Sequence, residues 1–323
     1  MPKITDIIGH SSQVAELIAD LEQDNLAHAY LFSGRPHLGK MTMAHWFAEQ
    51  VLTLGFTEEE RLNERRRIER LTHPDLMVLD QLWIDKECDD WDIICQSSNV
   101  SQEHRSKKPP AKTDIISIDD VRVLQRRLHE TAVGARRVCI ISSMERMQDA
   151  AANAFLKILE EPPPSLVFIL TASSLSKLLP TIRSRTRVMH FAPLPRKTLL
   201  PMFENTSDDD AHFILQLAQG APGIVKRLCD DPDVLRQERQ VQQQAKSFWD
   251  SSSLKSRLHV LSALNTRGAD GEKLLMHLAF ALRKLPVPIR QKSTPVFMQL
   301  LSDLQTNVQR RLVLQRFALA AKN

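Results

Sequence analysis

A short apolar segment at residues 29–33 runs directly into a loop that is bounded by Gly34 and Gly39 and followed by Lys40. The segment has the length of a buried strand, and apolar residues with helical spacing follow it up to residue 54. A strand, a glycine-bounded loop and a helix in this order are the setting in which backbone N–H groups cradle a phosphate. The first prediction from the sequence is therefore a phosphate loop inside an α/β fold.

Apolar strands and amphipathic helices alternate along the chain beyond this loop. Strands are predicted at 138–141, 166–171 and 187–191, and helices at 11–26, 117–131 and 148–160. Such alternation implies a parallel sheet that helices cover on both faces. After Pro195 the strands stop, and the rest of the chain is predicted to be helical, with a break at Pro286 and Pro288.

Residues 55–113 differ in character and are interpreted as an irregular insertion, in which residues 96–113 form a flexible polar loop. The arginine-rich run at 61–70 is interpreted as a solvated helix face that pairs with its own glutamates. Order returns at Ile115, and Ser117 with Asp120 forms a capping-box pattern at the start of a helix.

The composition excludes several classes of protein. With 42% hydrophobic and 25% charged residues and only four cysteines, the chain is not a collagen, a disordered chain or a disulfide-stapled secreted fold. No stretch reaches the roughly 18 apolar residues that span a bilayer, and the N-terminus lacks the apolar run of a signal peptide. We therefore expect a cytoplasmic protein without a membrane partner.

The hydroxyl that a phosphate loop offers to Mg²⁺ is missing from its usual place. Met41 follows Lys40, and Thr42 stands one residue late, which on a helix is a rotation of about 100°. Two interpretations stay open. Gly34, Gly39, Lys40 and Thr42 form a site that holds nucleotide without hydrolysing it, or the loop is a turn that only packs.

The acidic residue that an ATPase needs for its metal is also missing. An ATPase places it at the end of a buried strand, but Ser142 and Ser143 follow the strand at 138–141, and Glu145 stands further on. Serine cannot supply the negative charge that holds Mg²⁺. Together with the altered loop, this predicts that the chain does not hydrolyse ATP.

An arginine between a helix end and a strand offers a different chemistry. Residues 153–163 predict a helix that ends ahead of two prolines, and Arg185 lies beyond it, between Ser184 and Thr186. Taken alone, Arg185 is a solvated side chain. Its functional interpretation is an arginine finger, a guanidinium offered to the γ-phosphate held by another subunit.

The order of these pieces resembles the AAA+ clamp-loader subunits of bacterial DNA polymerase III, and among them the delta-prime family. The segments that carry the resemblance span nearly the whole chain, at residues 28–34, 39–40, 73–75, 153–163, 178–185, 220–223 and 307–319. The helix that ends in Leu-Glu-Glu-Pro-Pro and the following Leu-Pro-Thr-Ile-Arg-Ser-Arg are highly specific, whereas a phosphate loop alone is not.

The resemblance implies an AAA+ parallel-sheet module at residues 1–192, a small helical lid at 193–236 and an all-α collar at 237–323 that serves oligomerisation. Family members assemble as a hetero-pentamer with gamma or tau and delta subunits, within the DNA polymerase III holoenzyme, a DNA-directed DNA polymerase and nucleotidyltransferase. The pentamer opens the sliding clamp and places it on primed DNA. Gamma and tau hydrolyse ATP, whereas delta-prime is a stator that offers an arginine to its neighbour's site.

Arg185 matches that arginine and is the catalytic residue, acting in trans, that the resemblance implies. Gly223 stands where the lid of an active member carries an arginine, and Thr186 replaces the usual cysteine without removing Arg185. No cofactor is then required, although ATP or ADP binding without hydrolysis stays open.

The zinc site common in these subunits is not expected here. It uses four cysteines ahead of the His-Pro-Asp segment, and residues 55–72 contain none. Cys88 and Cys95 lie after that segment, and only His73 and His104 would complete four ligands. We therefore predict no metal site and interpret the two cysteines as isolated thiols.

The basic C-terminal region is interpreted as a packing surface. Residues 251–323 hold 12 Lys and Arg against 3 Asp and Glu, but few aromatics that could stack on bases. Apolar residues at helical spacing favour packing between subunits, namely Leu300, Leu301, Leu304, Val308, Leu312 and Leu319. Any contact of the AAA+ module with DNA is expected to be nonspecific in sequence.

The sequence thus favours a non-hydrolysing stator of the clamp loader. One alternative is a divergent gamma/tau-like ATPase, which would hydrolyse ATP through Lys40. The other is a DNA-binding adaptor unrelated to replication, which would bind DNA tightly by itself and in a salt-dependent way.

Overall fold

The computed structural model describes residues 7–69, 72–79, 115–128, 133–204, 206–266, 268–306 and 308–321. The chain divides into two compact units, Met1–Lys226 and Arg227–Asn323. Within the described ranges, no helix combines the length and the apolar character that crossing a bilayer requires.

The first unit is an α/β structure. Its strands are β1 (Ala29–Ser33), β2 (Leu76–Leu79), β3 (Arg137–Ile141), β4 (Leu166–Ala172) and β5 (Arg187–His190). Its helices are α1 (Ser11–Glu22), α2 (Lys40–Leu52), α3 (Glu58–Glu69), α4 (Ile118–Leu128), α5 (Asp149–Glu160), α6 (Pro180–Arg183), α7 (Arg196–Leu199), α8 (Asp208–Ala218) and α9 (Pro222–Asp230), the last of which contains the division between the units.

Within the described residues, these five strands pair in parallel, in the order β2-β3-β4-β1-β5. Because side chains alternate between the faces of a strand, β1 sends Tyr30 and Phe32 into one core and Ala29 and Leu31 into another. Residues of α1 and α2 complete the first core, and residues of α4 and α5 complete the second. The predicted parallel sheet with helices on both faces is confirmed.

The start of α4 confirms the predicted capping box. The Ser117 N–H donates to Asp120 Oδ2 at 2.8 Å, and the Asp120 N–H donates to Ser117 Oγ at 3.3 Å. Each residue thus satisfies an N–H group that the first turn of a helix otherwise leaves without an acceptor.

The prediction that residues 55–113 form an irregular insertion is wrong at strand β2, which lies within it and is the edge strand beside β3. Helix α3 lies within it too, where the arginine-rich run at 61–70 predicted a helix face. β2 has only four residues, so its apolar run was too short to separate from a loop, and its pairing with β3 makes it a strand. The arginine face of α3 does pair with its own glutamates, as predicted, with Arg67 at 3.1 Å from Glu64. The predicted loop at 96–113 lies outside the described residues.

Asp75 ties the start of β2 to the segment before β3. Its carboxylate accepts the N–H groups of Val133 at 3.0 Å and Gly134 at 2.7 Å. It also lies 3.6 Å from Nε of Arg137, and both side chains are buried. The carboxylate therefore accepts two backbone N–H groups and places a negative charge beside the buried guanidinium of Arg137, whose charge would be costly to bury alone.

The second unit is helical. Its helices are α10 (Pro232–Asp250), α11 (Leu254–Val260), α12 (Ala269–Lys284), α13 (Val287–Gln305) and α14 (Arg310–Ala320). Phe248, Trp249 and Phe317 form the centre of its core, with the rings of Phe248 and Phe317 stacked at 5.2 Å. The break predicted at Pro286 and Pro288 is confirmed, since α12 ends and α13 begins there.

The predicted packing face of the C-terminal helices is divided between core and surface. Leu300 and Leu304 are buried in the second unit, whereas Val308, Leu312 and Leu319 are more than half exposed. The predicted boundary at residue 236 falls inside α10, and the division into three domains stays a prediction.

We expect Asp75→Ala to lower the free energy of unfolding by about 3 kcal/mol, because two backbone N–H groups lose their acceptor and the buried Arg137 loses a neighbouring buried carboxylate. The midpoint of urea unfolding of the full chain measures this change. Glu22→Ala, at an exposed position on α1, is the control and should shift the midpoint little. Equal midpoints for the two variants would contradict the assignment.

Candidate functional site

The glycine-bounded loop leaves the sheet at the carboxyl end of β1. A Cβ atom at Gly34 would lie 2.3 Å from the carbonyl oxygen of Phe191, so this position admits only glycine. Gly39 has a φ of 90°, a left-handed conformation that glycine adopts readily, and directly precedes α2. The backbone therefore requires both glycines whether or not a nucleotide is present.

Lys40 folds back over this loop. Its Nζ donates to the carbonyl oxygens of Gly34 at 2.5 Å and Arg35 at 2.7 Å. The side chain is buried, and this burial lowers the pKa of Lys40 from 10.5 to about 8, although the negative charge of Glu145 opposes the shift. The amine is thus engaged by the loop itself.

Other parts of the first unit hold two further carbonyl groups of the loop. A ring nitrogen of His10 lies 3.0 Å from the carbonyl oxygen of Leu38, and the N–H of Gly223 donates to the carbonyl oxygen of His37 at 3.0 Å. A Cβ at Gly223 would lie 3.0 Å from that same oxygen, so a larger residue there would press on the loop. The loop is therefore held closely by its own protein.

The first turn of α2 presents a thioether where a metal-binding loop needs a hydroxyl. Met41 is half-buried and packs against the core that contains Phe47. Thr42 is half-buried at the next position. The structure thus brings Gly34, Gly39 and Lys40 together, with Thr42 one residue further along the helix.

The ends of β3 and β4 contribute a carboxylate that the sequence analysis had set aside. Glu145 lies on a 3-10 turn, Met144–Arg146, and both its oxygens accept the N–H of Ser173 at 3.1 Å. The negative charge of Glu145 raises the pKa of Lys40, so an acidic group does lie near the loop. No sequence signal for this placement exists, because the turn that brings Glu145 back forms only when β3 and β4 pair.

Ser142 and Ser143 serve the backbone at this edge. Ser142 is buried and its N–H donates to the carbonyl oxygen of Leu79. The N–H of Ser143 donates to Oγ1 of Thr171 at 3.0 Å. The two serines therefore connect β3 to its neighbours on both sides.

Arg185 lies at the amino ends of the strands, whereas the loop lies at their carboxyl ends. The loop follows the carboxyl end of β1, whereas Arg185 precedes the amino end of β5, which pairs with β1 in parallel. A strand of this length spans about 13 Å. Parallel pairing therefore separates Arg185 from the loop of its own chain.

The guanidinium of Arg185 is half-exposed and held at two points. Nη2 lies 2.7 Å from Oε1 of Glu160, and Nη1 donates to the carbonyl oxygen of Thr181 at 3.2 Å. The neighbouring Arg187 differs, since Glu16 and Asp20 both bind it, at 2.7 and 2.6 Å. The spacing of the two arginines in the sequence gives no sign of this difference in their ion pairs.

Metal ligands are not grouped in the described parts of the chain, where no cluster of three or more His, Cys, Asp or Glu side chains could hold an ion. His73 accepts the N–H of Asp75 through Nδ1 at 3.1 Å. Cys88, Cys95 and His104 lie outside the described residues, so the expectation about zinc stays a prediction.

Comparison with known proteins gives a consistent group of relatives. A family model described as DNA polymerase III, delta subunit, matches residues 9–195. The DNA polymerase III delta' subunit of Pseudomonas aeruginosa is 32% identical over 211 residues, which cover 62% of this chain and 56% of that protein. The Escherichia coli delta' subunit is 34% identical over 140 residues, covering 42% of each chain.

Subunits of another kind match as well. The gamma/tau subunit of Mycobacterium bovis is 29% identical over 230 residues, covering 67% of this chain and 34% of that protein. The chain thus spans about half the length, or less, of these curated relatives.

A solved structure shows the same fold. The crystal structure of a DNA polymerase III gamma subunit-related protein from Thermotoga maritima covers 94% of this chain, and 98% of that chain is covered in turn. The TM-score is 0.56 at 19% sequence identity. This likeness is one of fold and confirms the predicted α/β architecture with helices in the C-terminal part.

The lowered pKa of Lys40 predicts a pH dependence of stability. Between about pH 8 and 10.5 the unfolded chain keeps a proton on this amine that the folded protein releases, so stability rises with pH. From pH 7 to pH 9 we expect the free energy of unfolding to increase by about 1 kcal/mol more in the wild type than in Lys40→Met, because methionine does not titrate.

Urea unfolding at the two pH values measures this difference. Lys177→Met, which removes an exposed lysine, should keep the pH dependence of the wild type. The same dependence in Lys40→Met and the wild type would show that Lys40 is not buried as described.

Proposed function

Because the chain belongs to the DNA polymerase III delta subunit family and is a clamp-loader protein of the delta-prime kind, we propose that it is the non-hydrolysing stator of that loader. In this role it offers Arg185 to the ATP site of a neighbouring subunit. The guanidinium would offset the negative charge that develops when the γ-phosphate is transferred there.

The placement of Arg185 is the observation that carries the proposal. Its own loop lies at the carboxyl ends of the parallel strands, and Arg185 lies at their amino ends. An arginine finger must approach the γ-phosphate closely, which Arg185 cannot do for a nucleotide on its own loop. The half-exposed guanidinium is instead available to a second subunit.

The closure of the loop supports the absence of hydrolysis. Lys40 binds the loop carbonyls, Met41 replaces the hydroxyl, and Glu145 is engaged by a backbone N–H. A nucleotide that enters at Gly34, Gly39, Lys40 and Thr42 must first displace Lys40 from two hydrogen bonds. In this proposal such binding has no metal chemistry, and the protein requires no cofactor.

The proposed partners are gamma or tau and delta subunits in a hetero-pentamer that brings the sliding clamp to primer–template DNA in the cytoplasm. The relatives support this, since they are delta' and gamma/tau subunits of DNA polymerase III. We assign oligomerisation to the helical collar at 237–323, where Val308, Leu312 and Leu319 expose apolar surface. The AAA+ module at 1–192 and the lid at 193–236 complete the proposed division.

A gamma/tau-like ATPase is the second candidate, and Glu145 is the observation that favours it. Its carboxylate acts on Lys40 and could take part in holding a metal ion. This candidate predicts phosphate release by the isolated chain that is lost in Lys40→Ala. The stator predicts no release by either protein, measured with ATP and Mg²⁺ in excess.

We expect Arg185→Ala to lower the kcat of ATP hydrolysis at the neighbouring site by about tenfold or more, because the transition state loses a cation. The measurement is phosphate release by a complex reconstituted with gamma-type and delta-type subunits, in which only that neighbouring site is active. Native mass spectrometry of the same sample should show one copy of the chain in a five-membered assembly.

Arg183→Ala is the matched control, since Arg183 is exposed on α6 two residues before Arg185. It should leave the kcat unchanged. An assembled complex in which Arg185→Ala hydrolyses ATP as fast as the wild type would overturn the proposed role of Arg185.

A further inference from the structure

The side chain that holds Arg185 comes from a different element of the fold. Glu160 is the last residue of α5, and its Oε1 lies 2.7 Å from Nη2 of Arg185. The two residues are 25 positions apart in the sequence, separated by β4 and α6. Their pairing is therefore a product of the tertiary structure.

The position of Glu160 is unfavourable for a carboxylate considered by itself. The carboxyl end of a helix carries a partial negative charge, and an acidic side chain there costs roughly 0.3–1 kcal/mol. Glu161 follows immediately and adds a second negative charge. A cation against this end, as Arg185 provides, offsets the repulsion.

This ion pair contributes little to stability. The side chain of Glu160 is 49% exposed and that of Arg185 is 35% exposed. Pairs with this exposure typically add between zero and about 1 kcal/mol, because water screens both charges. The pair is better explained by what it does to the orientation of the guanidinium.

The two contacts fix the plane of the guanidinium. A guanidinium is planar and carries five N–H donors. The contacts with Glu160 and with the Thr181 carbonyl use two of them, one on each terminal nitrogen. The side chain is thereby held while other N–H groups stay available to an incoming anion.

We propose that Glu160 is a positioning residue for Arg185, which holds the guanidinium in the orientation that meets the γ-phosphate on the neighbouring subunit. The inference rests on the proposed function of Arg185. Because the guanidinium is already oriented, the reaction does not have to pay the entropy of ordering a flexible side chain. We therefore expect the effect of Glu160 to appear in kcat. Arg187, bound by Glu16 and Asp20, is already neutralised and cannot take this role.

The test uses the complex in which only the site next to this chain hydrolyses ATP. We expect Glu160→Ala to lower kcat about fivefold with the KM for ATP unchanged, since the nucleotide is held by the other subunit. Glu160→Gln keeps a hydrogen-bond acceptor without the charge and should recover part of the loss. Glu161→Ala, at the exposed neighbouring position, is the control and should match the wild type.

A double variant distinguishes positioning from a structural effect. If Glu160 acts only through Arg185, Glu160→Ala combined with Arg185→Ala should be no slower than Arg185→Ala alone. Thermal unfolding of the free chain should be the same for Glu160→Ala and Glu161→Ala. A drop in thermal stability together with a slower double variant would make Glu160 a structural residue and overturn the inference.

The failure of this inference and of the proposed function give different results. If Arg185→Ala has no effect on kcat, the role of Arg185 is wrong and Glu160 has nothing to position. If Arg185→Ala slows hydrolysis but Glu160→Ala does not, Arg185 acts without Glu160 and only the positioning role is wrong.

Discussion

The common direction of the five strands is the constraint on which the other features of the first unit depend. Parallel pairing places the carboxyl ends of β1, β3 and β4 at one edge, so the loop with Lys40, the serines after β3 and the turn with Glu145 meet there. The same pairing places the ends of α5 and α6 at the other edge, with Glu160 and Arg185. One topological property therefore separates two groups of charged residues.

The two cations at these edges are treated in opposite ways by the fold. Lys40 is buried and donates to carbonyl groups of its own loop, and the cost of burying the charge lowers its pKa. Arg185 stays half-exposed, held by one carboxylate and one carbonyl. In the proposed function, the buried amine of Lys40 takes no part in ATP hydrolysis, and the oriented guanidinium of Arg185 acts on a nucleotide held by a neighbouring subunit.

Much of the fold could be predicted because its signals are local. The strand at 29–33, the glycine-bounded loop and the capping box at Ser117 each depend on residues within a few positions of one another, and all three were confirmed. Strand β2 was missed because four apolar residues become a strand only beside β3. The apolar face near the C-terminus was predicted as one surface, but helix packing buries Leu300 and leaves Leu312 exposed.

The sequence by itself determined which side chains stand at the loop and after β3, since a methionine next to Lys40 and the two serines at 142 and 143 need no structure to be recognised. Only the tertiary structure decided which charged groups meet. Glu145 reaches the environment of Lys40, and Glu160 reaches Arg185, through contacts between residues far apart in the chain. The physical reason is that side-chain identity is a local property, whereas an electrostatic contact depends on how strands and helices pack.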